Sequence, residues 1–146
     1  MSYEAMHNPK EDEWFEKDIT KVCADSLPDV ALWVGGFPCQ DVSMAGERKG
    51  LYGERTGLFF EFVRLLKERG DNKPRWLILE NVKGLFSSGG GWDFAVVLCE
   101  LATLGYGIEY ALVNSKDYGV PQNRERVYII GDITGRSTGK IFPLRR

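Results

Sequence analysis

Side chains that could do chemistry gather in three segments beside expected strands. Cys39 lies in GGFPCQDVS (residues 35–43), Glu80 and Asn81 lie in ENVK (80–83), and Arg124 and Arg126 lie in QNRERV (122–127). A cysteine thiolate is a potent nucleophile, yet a lone cysteine after a buried strand is more often a packed small residue. The neighbours of Cys39 shift that balance. Pro38 stiffens the backbone before it, Gly35 and Gly36 allow close approach by another molecule, and Gln40 and Ser43 supply hydrogen bonds in a loop that is otherwise costly to bury. Cys99 falls inside a helical pattern and reads as core, while Cys23 carries no such signal. Taken alone, Glu80 and Asn81 read as the polar cap of a strand and a turn former. Arg126 reads equally as half of an ion pair with Glu125 or Asp132.

The elements that must position these residues are legible from hydrophobic period. Residues 30–34 (VALWV) form a continuous apolar run closed by Gly35, Gly36 and Pro38, which predicts a strand buried on both faces. Leu58, Phe62, Leu65 and Leu66 recur at helical spacing, with Glu61, Arg64 and Lys67 on the solvent side and Gly70 as the stop. Residues 76–79 (WLIL), after Pro74, predict a second buried strand ending at Glu80 and Asn81. A second helix is expected over residues 92–104, with Phe94, Val97, Leu98 and Leu101 on one face and Gly105 at its end. Residues 108–113 and 127–130 predict two more strands, separated by a loop with Gly119 and Pro121. This order indicates an α/β sandwich around a largely parallel sheet. In such a sheet, ligands gather beyond the carboxyl ends of the strands, where both candidate loops lie.

With 146 residues, 43% of them hydrophobic, the chain suits one compact domain. We divide it into a polar lead-in at 1–17, a domain at 18–132 and a tail at 133–146, where Gly, Ser and Thr gather at 135–139. Three widely spaced cysteines argue against a disulfide framework, and one histidine, His7, argues against a zinc site. No apolar run reaches the ~18 residues of a membrane span, and no signal-peptide pattern opens the chain, so a cytoplasmic protein is expected. The formal charge of −2 is unlike that of a stand-alone nucleic-acid binder, so any DNA contact must be local. Arg48 with Lys49, Arg124 with Arg126, and Arg136, Lys140, Arg145 and Arg146 are the basic clusters, and a solvated surface explains the last group equally well.

Taken together, GFPCQ, ENVKG after the next strand and QNRERVYIIG (122–131) resemble, in order, the motif set of DNA cytosine-5 methyltransferases. KDITKV around Asp18 and Ile19, the LFF at 58–60 and DYGVPQ at 117–122 extend the resemblance over roughly residues 17–132. It implies a Rossmann-like, S-adenosylmethionine-dependent methyltransferase fold acting on double-stranded DNA with a flipped cytosine. By that resemblance the Cys39 thiolate attacks carbon 6 of the extruded base, which turns the ring into an enamine able to take a methyl group at carbon 5. Glu80 contacts the ring nitrogen and exocyclic amine, and Arg124 and Arg126 hold the base or the nearby backbone and order the nucleophile loop. Asp18, Ile19, Pro38 and Leu58 are the implied cofactor contacts, while Asn81 and Gln122 support the architecture.

The same resemblance implies features that are not found here. No Phe-x-Gly-x-Gly cofactor loop precedes Asp18, so the first strands of the fold and one wall of the cofactor pocket are expected to be missing. After Gly131 only residues 132–146 follow, so a target-recognition region is expected to be missing as well. The glycine run at 87–91 reads as a flexible connector rather than a replacement ligand loop. Three functions compete: a catalytic fragment that needs missing segments or a complementing chain, a non-catalytic remnant that binds or scaffolds, and a thiol hydrolase, disfavoured because no activating histidine lies near Cys39. Exposed sheet edges, and with them self-association, follow from the missing strands.

Overall fold

The computed structural model describes residues 16–38, 57–136 and 139–142. In chain order the regular elements are strand β1 (Leu32–Gly36), helix α1 (Gly57–Glu68), β2 (Trp76–Val82), helix α2 (Trp92–Thr103), β3 (Gly107–Asn114) and β4 (Glu125–Asp132). Short 3₁₀ turns connect them, including Ile19–Lys21 and Ala24–Ser26 ahead of β1.

The four strands form one sheet in the order β1-β2-β4-β3. β1 pairs with β2 in parallel, from Leu32 opposite Trp76 to Gly36 opposite Glu80. β4 pairs antiparallel with both β2 and β3. The α/β class expected from sequence is the one observed, but the pairing is mixed rather than largely parallel. Helix α1 supplies the crossover that a parallel β1–β2 pair requires, whereas residues 115–124 are too few to carry β4 round to run parallel to β3. β1, β2 and β3 therefore point the same way, and their carboxyl ends share one edge with the start of β4.

Among the described residues, one face of the sheet is covered by helices and the other is largely open. Leu77, Leu79, Val127 and Ile129 of the covered face pack with Phe59, Val63 and Leu66 of α1, Val97 and Leu101 of α2, and Leu85. Each is essentially fully buried, which stabilises the fold by roughly 1.5–3 kcal/mol per large side chain. Tyr106 joins this core and donates its hydroxyl to the Pro74 carbonyl at 2.7 Å. Burial pushes the Tyr106 phenol well above its ordinary pKa.

Three sequence expectations change. The buried stripe of α1 is Phe59, Val63 and Leu66 toward the sheet, with Leu65 turned to a second cluster with Val22 and Ala24. Leu58 and Phe62, expected in the stripe, are half-buried. The helix is packed from two sides, so its apolar arc is wider than one stripe. Second, β1 is not buried on both faces. Trp33 and Gly35 face the core, but Leu32 is 43% and Val34 68% exposed, because among the described residues nothing pairs on its outer side or covers its open face. Third, Cys99 is exposed rather than core. Val97 and Leu101 are buried, and a residue two positions from each points about 200° away round the helix.

The glycine run before α2 is a closed turn. Gly89, Gly90 and Gly91 all take left-handed backbone, with φ of 55°, 71° and 95°. The Ser88 hydroxyl donates to the Asp93 carboxylate, both are buried, and a Cβ on Gly89 would lie 3.0 Å from Asp93 Oδ1. The carboxylate thus already occupies the first turn of α2, where an anion is stabilised, in keeping with a connector.

On the open face, the Glu109 carboxylate of β3 accepts the backbone N–H groups of Lys140 at 3.0 Å, Ile141 at 3.2 Å and Phe142 at 3.0 Å. Phe142 then closes a hollow of about 400 Å³ with Ile78, Val113, Tyr118, Tyr128 and Ile130. Desolvation raises the Glu109 pKa, but the amides of Phe142, Lys140, Ile141 and Gly139 outweigh it and hold the group below its ordinary 4.5. A depressed native pKa gives stability that is complete above 4.5 and lost as pH falls through the native value. Amide protection factors at Lys140, Ile141 and Phe142 are therefore expected to fall in acid, and Glu109→Gln to abolish that dependence, as read by NMR hydrogen exchange. In the core, a Cβ on Gly131 would stand 3.1 Å from Tyr106 Cδ1 and 3.4 Å from Leu77 Cβ. Urea denaturation of Gly131→Ala should show a loss of roughly 1–3 kcal/mol.

Candidate active site

The shared carboxyl edge of β1, β2 and β3 brings three of the four predicted catalytic residues together. Strand alternation puts Glu80 on the open face of β2, and the parallel register sets it directly beside Gly36. A Cβ on Gly36 would lie 3.2 Å from the Glu80 carbonyl oxygen and 3.4 Å from Glu80 Oε2. The absence of a side chain at Gly36 is what lets the carboxylate lie over the end of β1.

Two guanidinium groups reach the other carboxylate oxygen. Arg126 Nε is 2.8 Å and Arg124 Nη2 3.4 Å from Glu80 Oε1. Arg126 also donates to the Glu125 backbone carbonyl at 2.8 Å. The expected alternative, an ion pair of Arg126 with the Glu125 or Asp132 carboxylate, gives way to the Glu80 contact. The Glu125 carboxylate instead meets Lys83 at 3.0 Å, and Asp132 accepts from Thr134 at 2.8 Å. The side chains of Glu80 and Arg126 are 36% and 21% exposed, so the pair is partly shielded, while Arg124 at 50% stands at the solvent rim. Ion pairs this exposed contribute about 0–1 kcal/mol, so their value lies in orientation rather than stability.

Asn81 points the opposite way, into the covered face, and is 3% exposed. Its Nδ2 donates to the Phe37 carbonyl at 3.1 Å, and its Oδ1 accepts the Val82 amide at 2.8 Å. The Phe37 ring packs on Phe59 with centroids 5.0 Å apart. The segment Gly36–Pro38 is thereby held by a buried amide, an aromatic contact and the β1–β2 pairing. Cys39 follows immediately and lies outside the described residues, as do Gln40, Ser43, Arg48, Lys49, Arg145 and Arg146.

The arginine loop has its own fastening, which sequence reasoning missed. Asn114, at the end of β3 and 9% exposed, accepts the Lys116 and Arg124 amides on Oδ1 at 3.2 Å each. Its Nδ2 donates to Asn123 at 2.6 Å, and the Ser115 hydroxyl donates to the Gln122 carbonyl at 2.6 Å. The available signal was an asparagine capping a strand end ten residues before the arginine. Gln122 supports the loop through its backbone.

The four predicted cofactor residues come together as well. Asp18, Ile19, Pro38 and Leu58 line one cleft of about 450 Å³, floored by Gly35, Gly36 and Phe62. Asp18 caps the turn Ile19–Lys21, with Oδ1 accepting the Thr20 hydroxyl at 2.7 Å and the Thr20 amide at 3.0 Å. Those two bonds, the hydroxyl first, and the Lys21 ammonium lower the Asp18 pKa below its ordinary range. Apolar walls from Ile19, Leu58 and Phe62, a carboxylate at the rim and two glycines on the floor suit a flat heteroaromatic ring with an exocyclic donor. Among the described residues no helix is long and apolar enough to cross a membrane.

The fold is one shared with solved methyltransferases. The structure superposes on a Dnmt2 methyltransferase from S. pombe with a TM-score of 0.61, covering 82% of this chain and 36% of that one at 24% identity. For a Spodoptera frugiperda DNMT2 the TM-score is 0.62, covering 89% and 37% at 21% identity. These likenesses show the fold. The profile of the C-5 cytosine-specific DNA methylase family matches residues 2–138, and the chain belongs to that family. It is 45% identical over 130 residues to the orphan methyltransferase M.Rho11sI of Bacillus phage rho11s, covering 89% of this chain and 25% of that protein. It is also 45% identical over 114 residues to the type II methyltransferase M.SsoII of Shigella sonnei, covering 78% of this chain and 29% of that protein. The chain thus spans about a quarter to a third of the length of these curated relatives.

Asn81→Ala leaves the Phe37 carbonyl without its buried donor, and chemical denaturation is expected to show a loss of about 1–3 kcal/mol.

Proposed function

We propose that residues 18–132 are the catalytic portion of a cytoplasmic DNA cytosine-5 methyltransferase, with Cys39 as nucleophile. The observation that carries this reading is the Glu80 carboxylate, laid over Gly36 three residues before Cys39 and held at 2.8 Å by Arg126. Carbon 5 of cytosine is a weak nucleophile. A bond from the Cys39 sulfur to carbon 6 pushes an electron pair into the ring; a proton delivered to the ring nitrogen by the Glu80 carboxyl takes up the charge and leaves carbon 5 as the nucleophilic end of an enamine. Arg126 and Arg124 hold that carboxylate in place and present donors to the flipped base or its backbone. Once carbon 5 carries the methyl group, water takes its proton, the carbon–sulfur bond breaks, and the ring nitrogen returns its proton to Glu80, which restores the aromatic ring and the thiolate.

S-adenosylmethionine, when bound, supplies the methyl group as an electrophile. In this reading Ile19 and Leu58 pack on its adenine, Asp18 accepts from the adenine amine, and Pro38 closes the cleft beside the nucleophile loop. The net charge of −2 leaves DNA affinity to local basic groups or to further protein. Activity in this proposal needs the part of the family fold that these residues do not span, whether from the same polypeptide or from a complementing chain. The outer edge of β1, unpaired among the described residues, and its exposed Leu32 and Val34 suit such an addition or self-association. The same edge favours the second reading, a non-catalytic binding or structural remnant.

The test is transfer of label from S-adenosylmethionine to double-stranded DNA, with and without extract from the source cells. Label incorporated with the wild-type chain and lost with Cys39→Ser is the expected result. No Cys39-dependent label under either condition, together with no S-adenosylhomocysteine binding by calorimetry, overturns catalysis in favour of the remnant.

A further inference from the structure

Helix α1 carries an arginine that sequence patterning places on the solvent side, yet its guanidinium joins the helix to the turn ahead of β1. Arg64 Nη2 donates to the Val22 carbonyl at 3.1 Å and to the Ile19 carbonyl at 3.3 Å. On its own helix, Nε donates to Glu61 at 2.8 Å and Nη1 to Glu68 at 2.9 Å. Glu61 and Glu68, one turn before and one turn after, therefore fix the plane of the fork, and the remaining nitrogen faces the turn Ile19–Lys21. That turn is itself small. It is closed by the Lys21 amide on the Asp18 carbonyl at 3.0 Å and the Val22 amide on the Ile19 carbonyl at 3.2 Å, with Asp18 as its cap.

We propose that Arg64 is a positioning residue for the cofactor cleft: by gripping the Ile19 and Val22 carbonyls it sets where the Asp18 carboxylate and the Ile19 side chain stand opposite Pro38 and Leu58. The inference rests on the reading of that cleft as the S-adenosylmethionine site. Ile19 and Val22 anchor the turn by packing on Leu65, a non-directional contact, while Asp18, Thr20 and Lys21 add no apolar contact, so the guanidinium supplies the directional bonds that fix how the turn is oriented. Lysine cannot substitute, since a single ammonium on a flexible stem lacks the planar fork needed to meet two carboxylates and two carbonyls at once.

An internal control lies just past the end of α1. Arg69 donates to the Ala24 and Leu27 carbonyls at 3.3 and 3.1 Å and contacts Asp29. It fastens the same N-terminal segment by the same device, but the carbonyls it holds do not line the cleft. Any effect on the cleft from generally loosening this segment should appear with Arg69; an effect of placing Asp18 and Ile19 should appear with Arg64 alone.

The experiment compares wild type, Arg64→Gln, Arg64→Lys and Arg69→Gln by NMR amide exchange and by calorimetric titration with S-adenosylhomocysteine, with circular dichroism melts to confirm folding. In both Arg64 variants the Lys21 and Val22 amides are expected to exchange about tenfold faster, the size of one lost charge-assisted hydrogen bond. The Ser26 and Leu27 amides stay as in wild type, and the dissociation constant rises by about the same factor. Arg69→Gln should show the converse exchange pattern and unchanged affinity. Wild-type exchange at Lys21 and Val22 in Arg64→Gln overturns the inference, as does equal weakening of S-adenosylhomocysteine by Arg64→Gln and Arg69→Gln. Absence of binding by wild type would instead sink the cofactor reading, while the exchange comparison still decides whether Arg64 holds the turn.

Discussion

The parallel register of β1 on β2 is the constraint from which the rest of the edge follows. A backbone ladder admits shifts only by steps that turn side chains to the opposite face or move them a full pleat along the strand. With Gly36 opposite Glu80, the carboxylate lies over a residue with no side chain, and the chain leaving β1 passes directly into Phe37, Pro38 and Cys39. Any larger residue at position 36 would meet Glu80 within 3.4 Å. The core enforces the register from the covered face, since slipping β2 by one residue would turn Leu77, Leu79 and Asn81 out of the interior together.

Around that ladder the polar groups divide by face. Glu80, Arg126 and Arg124 meet on the open side, where water and a substrate have access, and their contacts are charged and partly exposed. Asn81 and Asn114 serve the backbone beneath, where each amide group is shielded and satisfied by carbonyls or N–H groups. The first set is suited to meeting charge that changes during a reaction. The second fixes two loops, one on each side of Glu80, at about the cost of ordering two short side chains. A similar arrangement holds the third side of the edge, where Arg64 of α1 and Arg69 just past its end fasten the segment that leads into β1.

The open face explains why a protein of this composition shows exposed Leu32 and Val34 beside a dense core. In the described residues the helices cover one face, and on the other the segment 139–142, pinned by Glu109, covers a part of β3 and β4. The family relatives are three to four times as long as the stretch matched here, so a sheet covered on one face is compatible with a fold whose remaining layers lie beyond these residues.

Sequence by itself determined the elements and the candidates. Runs such as WLIL and the helical spacing of Leu58, Leu65 and Leu66 report local periodicity, and GFPCQ, ENVKG and QNRER are local strings whose residue types carry their own chemistry. It also grouped Asp18, Ile19, Pro38 and Leu58, which share one cleft. What tertiary structure decided are quantities between distant segments. The antiparallel insertion of β4, the exposure of Cys99 and of one face of β1, and the choice of Glu80 over Glu125 or Asp132 as partner of Arg126 all depend on which neighbours arrive. So do the roles of Asn114 and Arg64, which look like a strand-end polar residue and a solvated helix charge until backbone carbonyls or amides are brought within 3.3 Å of them. A side chain's type is written in the chain, but its hydrogen-bond partner is set by the packing that excludes water from it.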